Sequence, residues 1–190
     1  MKVGIFGGSF NPIHNAHIAL ARTICRQMAL DEVWFLISPH NPLKESSTLL
    51  GEEARLDMAR LALEEYPELI ASDYEFGLER PSFTWNTLTH LRRDYPEHQF
   101  SLIIGGDNWD VFPQWSHHED IIRSFRIIVY PREGSHIDTA TLPGSVTLAD
   151  TPEINITSTM IRQMIREGRD ISQYVPAAVM KKIREEGYYL

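Results

Sequence analysis

Short runs of apolar residues alternate along the chain with longer stretches in which apolar residues recur every three or four positions. The short runs predict β-strands and the longer stretches predict amphipathic helices. The predicted strands are Lys2–Phe6, Val33–Ile37, Leu69–Asp73, Phe100–Ile104, Arg126–Tyr130 and Val146–Ala149. The predicted helices are His14–Met28, Glu52–Glu65, Thr84–Asp94, one that closes with Ile121–Phe125, Thr159–Glu167 and Pro176–Glu186. This alternation predicts an α/β fold with a doubly wound parallel sheet and carboxy-terminal helices.

Composition narrows the class of protein. A chain of 190 residues with 43% apolar content is expected to form one domain, covering residues 1–190. Cys25 is the only cysteine, so a disulfide or a cysteine metal site within the chain is excluded, and a reducing cytoplasm is expected. We expect neither a signal peptide nor a membrane span. The net charge of −8 argues against nucleic-acid binding, and the sequence leaves open whether the chain forms a homo-oligomer.

The loop after the first predicted strand is the strongest candidate for chemistry, because open parallel sheets bind ligands beyond the carboxyl ends of their strands. It begins with Gly7-Gly8 and leads into a helix that carries His14 and His17. We expect the glycines to adopt positive φ and to let a ligand approach, while N–H groups at the helix start face an anion. The spacing of three places both imidazoles on one face, where they can donate to phosphate oxygens.

Other interpretations of this loop stay open. The histidines could be ordinary, partly buried residues, and the glycines could serve only a tight turn. A zinc site is disfavoured because the motif supplies no third ligand. The loop also lacks the Gly-Lys-Ser/Thr ending of a P-loop and the third glycine of a dinucleotide-binding fingerprint.

A second candidate lies near the carboxyl end, where three consecutive hydroxyl residues precede a predicted helix. Thr157, Ser158 and Thr159 can cap the helix and, with its free N–H groups, bind phosphate oxygens, and Arg162 follows one turn later. Simple N-capping is the alternative.

Together the two motifs carry a resemblance. The run from Gly7 to His17 resembles the GxFDPxHxGH signature of the nucleotidylyltransferase superfamily, although Asn11 replaces the usual Asp and Ala16 the usual Gly. Residues 156–162 match its ISSTxIR pattern. The resemblance implies a Rossmann-like nucleotidylyltransferase fold and transfer of a nucleoside monophosphate with release of pyrophosphate. The ATP-binding residues that it implies are Gly7, Gly8, Ser9, Phe10, Thr157, Ser158, Thr159 and Arg162.

The loops after the other strands resemble those of bacterial nicotinate mononucleotide adenylyltransferases. Residues 38–44 resemble the family's proline-and-lysine loop, and residues 80–88 its RxGPSYTxDTL run, without the Gly before Pro81 and with Phe83 and Asn86 in place of Tyr and Asp. Residues 104–117 resemble its GxD and tryptophan element, and residues 130–134 its RPG element.

This resemblance implies a role for each loop. Lys44 would contact the reacting phosphates beside His14 and His17, and Trp115 would stack on the pyridine ring. The other residues implied for the mononucleotide are Thr84 and Ser116 through their main-chain N–H groups, Asp107 through ribose hydroxyls, and Arg132 through phosphate. As alternatives, the lysine and arginine could be surface residues, the tryptophans core residues and Asp107 a helix cap.

The predicted function is transfer of AMP from ATP to nicotinate mononucleotide, with Mg²⁺ carried by ATP and no metal site on the protein. Because the acceptor phosphate is already anionic, it needs no general base, and the enzyme aligns the substrates and neutralises charge. Three rivals are a phosphopantetheine adenylyltransferase, a cytidylyltransferase and a nucleotide-sensing module without activity. The acceptor loops disfavour the first, and the acceptor region together with the carboxy-terminal motif disfavours the second. The intact histidines, lysine and arginine disfavour the third.

Overall fold

Six strands and seven α-helices alternate along the part of the chain that the structure describes. The structure is a computed structural model that describes residues 1–39, 49–152 and 155–190. Its strands are β1 (Lys2–Gly8), β2 (Glu32–Ile37), β3 (Leu69–Ser72), β4 (Gln99–Gly105), β5 (Arg126–Tyr130) and β6 (Val146–Leu148). Its helices are α1 (Asn15–Gln27), α2 (Glu52–Leu63), α3 (Thr84–Asp94), α4 (Gly106–Val111), α5 (His118–Ser124), α6 (Ser158–Arg166) and α7 (Ala177–Glu186).

The strands form one parallel sheet in the order β3-β2-β1-β4-β5-β6. The central strand β1 pairs with β2 from Val3↔Glu32 to Gly8↔Ile37, and with β4 from Lys2↔Gln99 to Phe6↔Ile103. The chain winds outward in opposite directions from β1 and β4, so the loops that follow these strands diverge and open a crevice at their carboxyl ends. This arrangement confirms the predicted doubly wound, Rossmann-like sheet.

Alternate strand residues supply a hydrophobic core on each face of the sheet. Phe6 and Phe35 belong to the core that α1, α2, α6 and α7 cover, whereas Ile5 and Leu36 belong to the core under α3 and α5. A sheet buried on both faces requires strands that are apolar throughout, which explains why the strands read as continuous apolar runs.

The predicted strands and helices are confirmed, with ends that differ by a few residues. β1 extends past Phe6 because Gly7 and Gly8 still pair with β2. The helix predicted from His14 begins at Asn15, and His14 is its N-cap with extended backbone. The sequence pattern did not predict α4 or the short 3-10 turns at Tyr74–Gly77 and Phe112–Gln114. Among the described residues, none of the helices combines the length and apolar character needed to cross a bilayer.

Candidate active site

Two adjoining cavities open at the carboxyl ends of β1 and β4. The first, which we call the histidine cavity, has a volume of about 280 Å³ and is lined by His14, His17 and Arg132 among others. The second, the tryptophan cavity, has a volume of about 240 Å³ and is lined by Thr84 and Trp115 among others. Both cavities are lined by Phe6, Gly7, Gly8, Asn108 and Tyr130.

The glycine loop forms the wall between the two cavities, but its backbone differs from the prediction. Neither Gly7 nor Gly8 has positive φ, and the left-handed residue is Phe10, with φ of 44°. A Cβ on Gly7 would meet nothing within 4 Å, so this position leaves open space for a ligand. A Cβ on Gly8 would lie 3.0 Å from the Phe10 ring. The glycines therefore provide room for a ligand and for Phe10, and the turn itself is made at Phe10.

The two histidines stack against each other at the start of α1. Their ring centroids are 3.6 Å apart with an interplanar angle of 21°. The backbone N–H of His14 donates to Nδ1 of His17 over 3.3 Å. Because Nδ1 accepts this bond, a neutral His17 ring carries its proton on Nε2, which is then a donor. The predicted shared face of the two imidazoles is thus present.

Burial keeps both imidazoles neutral near pH 7. The His14 residue is 3% exposed. Desolvation, with a smaller effect from the positive charge of Arg132, lowers the pKa of His14 to about 4. Desolvation also holds the pKa of His17 well below its usual value, with contributions from His14 and Arg132. These rings can therefore act as neutral hydrogen-bond donors, and the cationic group that lines the cavity is Arg132.

Arg132 and Asp107 face each other across the mouth of the histidine cavity. The Arg132 Nε lies 3.7 Å from Asp107 Oδ1. Gly105 lies beneath the pair, and a Cβ there would come within 2.5 Å of Asp107 Oδ1 and 2.9 Å of Arg132 Cγ. A side chain at this position would require Asp107 or Arg132 to shift.

The carboxy-terminal motif is joined to the glycine loop by hydrogen bonds. Ser158 Oγ donates to the Pro12 carbonyl over 2.9 Å, and Arg162 donates to the Asn11 carbonyl over 2.9 Å. Thr157 is the N-cap of α6 and accepts from Met160 N. The structure therefore brings the two predicted ATP motifs together, although they are far apart in sequence.

Not every residue of that motif faces the cavity. Ser158 lines the histidine cavity, whereas Thr157, Thr159 and Arg162 lie outside its lining. Arg162 also donates to Thr159 Oγ1 over 3.2 Å. In this structure, the described contacts of Arg162 connect protein segments.

The tryptophan cavity includes the uncapped amino end of α3. Thr84 is the first helical residue, and the N-cap is Phe83, whose side chain makes no capping hydrogen bond. The first N–H groups of α3 thus have no side-chain cap. Trp115 contacts Phe112 with ring centroids 5.2 Å apart. Ser116 is exposed and lies outside the lining of this cavity.

Two residues of this region were not predicted from the sequence. Arg55 of α2 is fully buried and donates to the carbonyls of Leu50, Ser9 and Ser38 over 2.9, 2.6 and 2.7 Å. Ser9 lines the histidine cavity and Ser38 the tryptophan cavity, so Arg55 links both. Its place on the apolar face of α2 was the signal that could have identified it. Glu75, an acid in the 3-10 turn that follows β3, lines the tryptophan cavity.

Two further predictions concern the phosphate contact of a lysine and the absence of a metal site on the protein. Lys44 lies outside the described residues. Within residues 1–39, 49–152 and 155–190, no group of three or more His, Cys, Asp or Glu side chains could hold a metal ion.

Comparisons with known proteins assign this chain to a family. Residues 5–164 match the family model described as cytidylyltransferase-like. The chain is 48% identical to a protein of Bacteroides fragilis named a probable nicotinate-nucleotide adenylyltransferase, over 97% of this chain and 92% of that one. A protein of the same name from Flavobacterium johnsoniae is 40% identical over 100% of this chain and 99% of its own.

A solved structure shares the fold. The nicotinic acid mononucleotide adenylyltransferase of Plasmodium falciparum superposes with a TM-score of 0.83 at 20% identity, covering 99% of this chain and 97% of that chain. At this identity, the superposition shows the fold alone. On the strength of the full-length sequence matches, the chain belongs to the nicotinate-nucleotide adenylyltransferase family within the cytidylyltransferase-like proteins.

Proposed function

We propose that this chain transfers AMP from ATP to the phosphate of nicotinate mononucleotide, giving nicotinate adenine dinucleotide and pyrophosphate. The observation that carries the proposal is the pair of cavities that meet at Gly7 and Gly8. A reaction that joins two nucleotides through their phosphates needs two such pockets with a shared wall where the phosphates meet. The structure of the Plasmodium relative is described as a complex with NaAD, the product of this reaction, which supports the same assignment.

The histidine cavity suits ATP. Gly7, Gly8, Ser9 and Phe10 give it a main-chain wall, and Ser158 closes it from the start of α6. Thr157, Thr159 and Arg162 would act from α6, through exposed hydroxyls and through the helix terminus. Ala16 is buried and lines the cavity, so its methyl group borders the bound nucleotide.

The tryptophan cavity suits the pyridine mononucleotide. Trp115 would stack on the ring, and main-chain N–H groups at Thr84 and Ser116 would bind the carboxylate of nicotinate. The uncapped start of α3 supports this role, because its N–H groups favour an anionic partner. Asp107 would bind ribose hydroxyls and Arg132 a phosphate, both from the side of the histidine cavity.

The chemistry is a direct displacement. An oxygen of the acceptor phosphate forms a bond to the α-phosphorus of ATP as the bond from that phosphorus to the α,β-bridging oxygen breaks, and pyrophosphate leaves. His14, His17 and Lys44 would donate to the phosphoryl oxygens on which charge develops. The neutral state of the two histidines suits donation, because they need not exchange a proton with the substrates.

A divalent cation, which we take to be Mg²⁺, is expected to accompany ATP. Carboxylate ligands fit it poorly here, since the described residues hold no cluster of ligating side chains. The triphosphate and water would therefore supply its ligands. Asp107 is the one carboxylate in the described lining of the histidine cavity. When bound, the ion would neutralise phosphate charge and orient the triphosphate.

A cytoplasmic location and small-molecule substrates complete the proposal. Cys25 is buried and unpaired, which suits a reducing compartment. We propose no nucleic-acid or membrane partner.

Pyrophosphate release tests the function. ATP and Mg²⁺ are incubated with the protein and, at equal concentrations, nicotinate mononucleotide, nicotinamide mononucleotide or phosphopantetheine. We expect strong release with the nicotinate form. Release with phosphopantetheine alone would support the assignment of ATP as AMP donor but overturn the roles of Thr84 and Trp115. Tight ATP binding without release would indicate a binding module. CTP in place of ATP tests the cytidylyltransferase alternative.

A further inference from the structure

Glu75 places a carboxylate in the wall of the tryptophan cavity. It lies in the 3-10 turn that follows β3 at the carboxyl edge of the sheet. Its Oε1 accepts a hydrogen bond of 2.7 Å from Thr87 Oγ1 of α3, and the Ser82 side chain donates a second bond. Thr87 is 2% exposed and also lines the cavity, so the position of the carboxylate is fixed from the core side.

The partners of this carboxylate are neutral. Among the described residues, no Lys, Arg or His forms an ion pair with Glu75, and Glu75 is the one Asp, Glu, Lys, Arg or His side chain in the described lining of the cavity. Burial raises the pKa of Glu75 against the opposing effect of its two hydroxyl donors. A carboxylate without a cationic partner in a partly apolar cavity is costly, so it would favour a ligand that brings positive charge.

A pyridine mononucleotide brings such a charge. The ring nitrogen is bonded to the ribose and is quaternary, so the ring carries a permanent positive charge at every pH. Purine and pyrimidine mononucleotides have neutral rings at pH 7. We propose that Glu75 supplies the counter-charge for the pyridinium ring and thereby makes the tryptophan cavity selective for mononucleotides with a cationic ring. This inference rests on the proposed function, because it assumes that the cavity receives the mononucleotide.

Trp115 strengthens the assignment. A cationic ring stacked on an indole gains a cation–π interaction that a neutral ring lacks. Glu75 and Trp115 line the same cavity of about 240 Å³, so a ring bound in this cavity would share it with both groups. The main-chain N–H groups at Thr84 would act on a different part of the ligand, the carboxylate substituent. Selection for ring charge and selection for acid over amide are therefore separate functions of one cavity.

The experiment compares two ring states of one ligand. Nicotinate mononucleotide has a cationic ring, and its 1,4-dihydro form has a neutral ring of nearly the same size. The KM of the oxidised form and the inhibition constant of the reduced form are measured for the wild type and for Glu75→Gln. We expect the preference for the oxidised form to fall about 10-fold or more in the variant, through KM more than kcat.

Three further variants separate charge from architecture. Glu75→Asp keeps the charge and should keep the ring preference. Thr87→Val removes a donor that positions the Glu75 carboxylate and should lower the ring preference by a smaller factor than Glu75→Gln. Glu79→Gln makes the same charge change on an exposed residue nearby and should leave both constants unchanged. Thermal unfolding of each variant confirms that it is folded, and the amide carbonyl introduced by Glu75→Gln can still accept from Thr87.

Two outcomes would overturn the inference. If Glu75→Gln lowers the affinity for both ring states by the same factor, Glu75 has a structural role only. Tighter binding of nicotinate mononucleotide alone, without a change for nicotinamide mononucleotide, would identify Glu75 as a repulsive group toward the acid. Failure of the wild type to use nicotinate mononucleotide would instead refute the proposed function, and that result does not depend on any Glu75 variant.

Discussion

The two cavities share a wall but are built from the sequence in different ways. The histidine cavity takes most of its wall from one continuous segment, Phe6 to Leu20, and completes it with residues from α4, β5 and α6 and from the connections before α6 and after β5. The tryptophan cavity collects residues from β1, β2, β4, β5, α3, α4 and three connecting segments, and no segment dominates. Under the proposed function, phosphate chemistry would rest on a local motif, whereas acceptor selection would rest on the packing of distant elements.

The two cavities also differ in their charged groups. The histidine cavity holds imidazoles that burial keeps neutral beside a cationic Arg132, which suits an anionic ligand. The tryptophan cavity holds a single described carboxylate with neutral partners. Substitutions in one cavity should therefore affect that cavity more than the other, except at Arg55, which contacts both.

Replacing Arg55 should affect both cavities, because this residue fixes a carbonyl of a lining residue in each. In Arg55→Met, the carbonyls of Leu50, Ser9 and Ser38 lose a charged donor. We expect the free energy of unfolding to fall by about 4 kcal/mol, measured by urea denaturation. In the fraction that remains folded, KM should rise for both substrates.

Arg60→Met is the matched control for Arg55→Met. Arg60 lies on the same helix and forms an exposed ion pair with Asp73 at 3.4 Å. Its replacement should cost less than about 1 kcal/mol. Equal losses in the two variants would contradict the role given to Arg55.

Replacing His17 should affect the histidine cavity alone. His17→Ala removes the Nε2 donor, and we expect kcat for pyrophosphate release to fall about 100-fold or more with little change in the melting temperature. The KM of nicotinate mononucleotide should change little. His90→Ala is the control, because that ring contacts the Asn86 carbonyl within α3. Full turnover by His17→Ala would remove His17 from the mechanism.

Acid should destabilise the histidine cavity through His14. Its pKa of about 4 in the folded protein lies below the ordinary value near 6.5, so the unfolded chain binds more protons between these values. Stability should therefore fall as pH decreases from 6.5, by roughly 2 kcal/mol at pH 5 from this group. Denaturation of wild type and His14→Gln at both pH values isolates the effect as the difference between the two slopes.

Glu75 should respond to acid with the opposite sign. Its pKa is raised in the folded protein, so protonation favours the folded state as pH falls.

The His14 prediction fails if His14→Gln and the wild type lose stability equally as pH falls. In that case the neutral state of His14 is not a property of the folded cavity.

Replacing Trp115 should affect the tryptophan cavity alone and by the smallest factor. In Trp115→Ala, the KM of nicotinate mononucleotide should rise about 10-fold while the KM of ATP stays nearly constant. Trp109→Ala is the control, since Trp109 stacks on Phe112 with centroids 5.2 Å apart and lines neither cavity. A similar rise in the KM of ATP would show that the two cavities do not act separately.

The sequence was sufficient to predict the sheet, because its strands are buried on both faces and therefore carry short apolar runs bounded by loop residues. It was also sufficient to place the rings of His14 and His17 together at the start of α1, whereas their role in the reaction stays a prediction. The positive φ of Phe10 could not be predicted, because glycine is the usual residue for that conformation and two glycines stand nearby.

Side chains that act through tertiary contacts were missed. The role of Arg55 depends on three carbonyls from three segments, and the role of Glu75 on two hydroxyls from another helix and its preceding loop. The hydrogen bond from Arg162 to the carbonyl of Asn11 was likewise not predicted, and its phosphate contact stays a prediction. The contribution of Lys44 stays a prediction.

The central place of β1 has a consequence for synthesis on the ribosome. This strand is translated before β4, so its β4 edge gains a partner only when residues 99–103 are made, as the Lys2↔Gln99 and Phe6↔Ile103 pairs show. Until then a nascent chain that has paired β1 with β2 exposes an apolar edge, which is a template for aggregation. The glycine loop, although it precedes β4 in the chain, would thus acquire its final surroundings only after β4 has emerged.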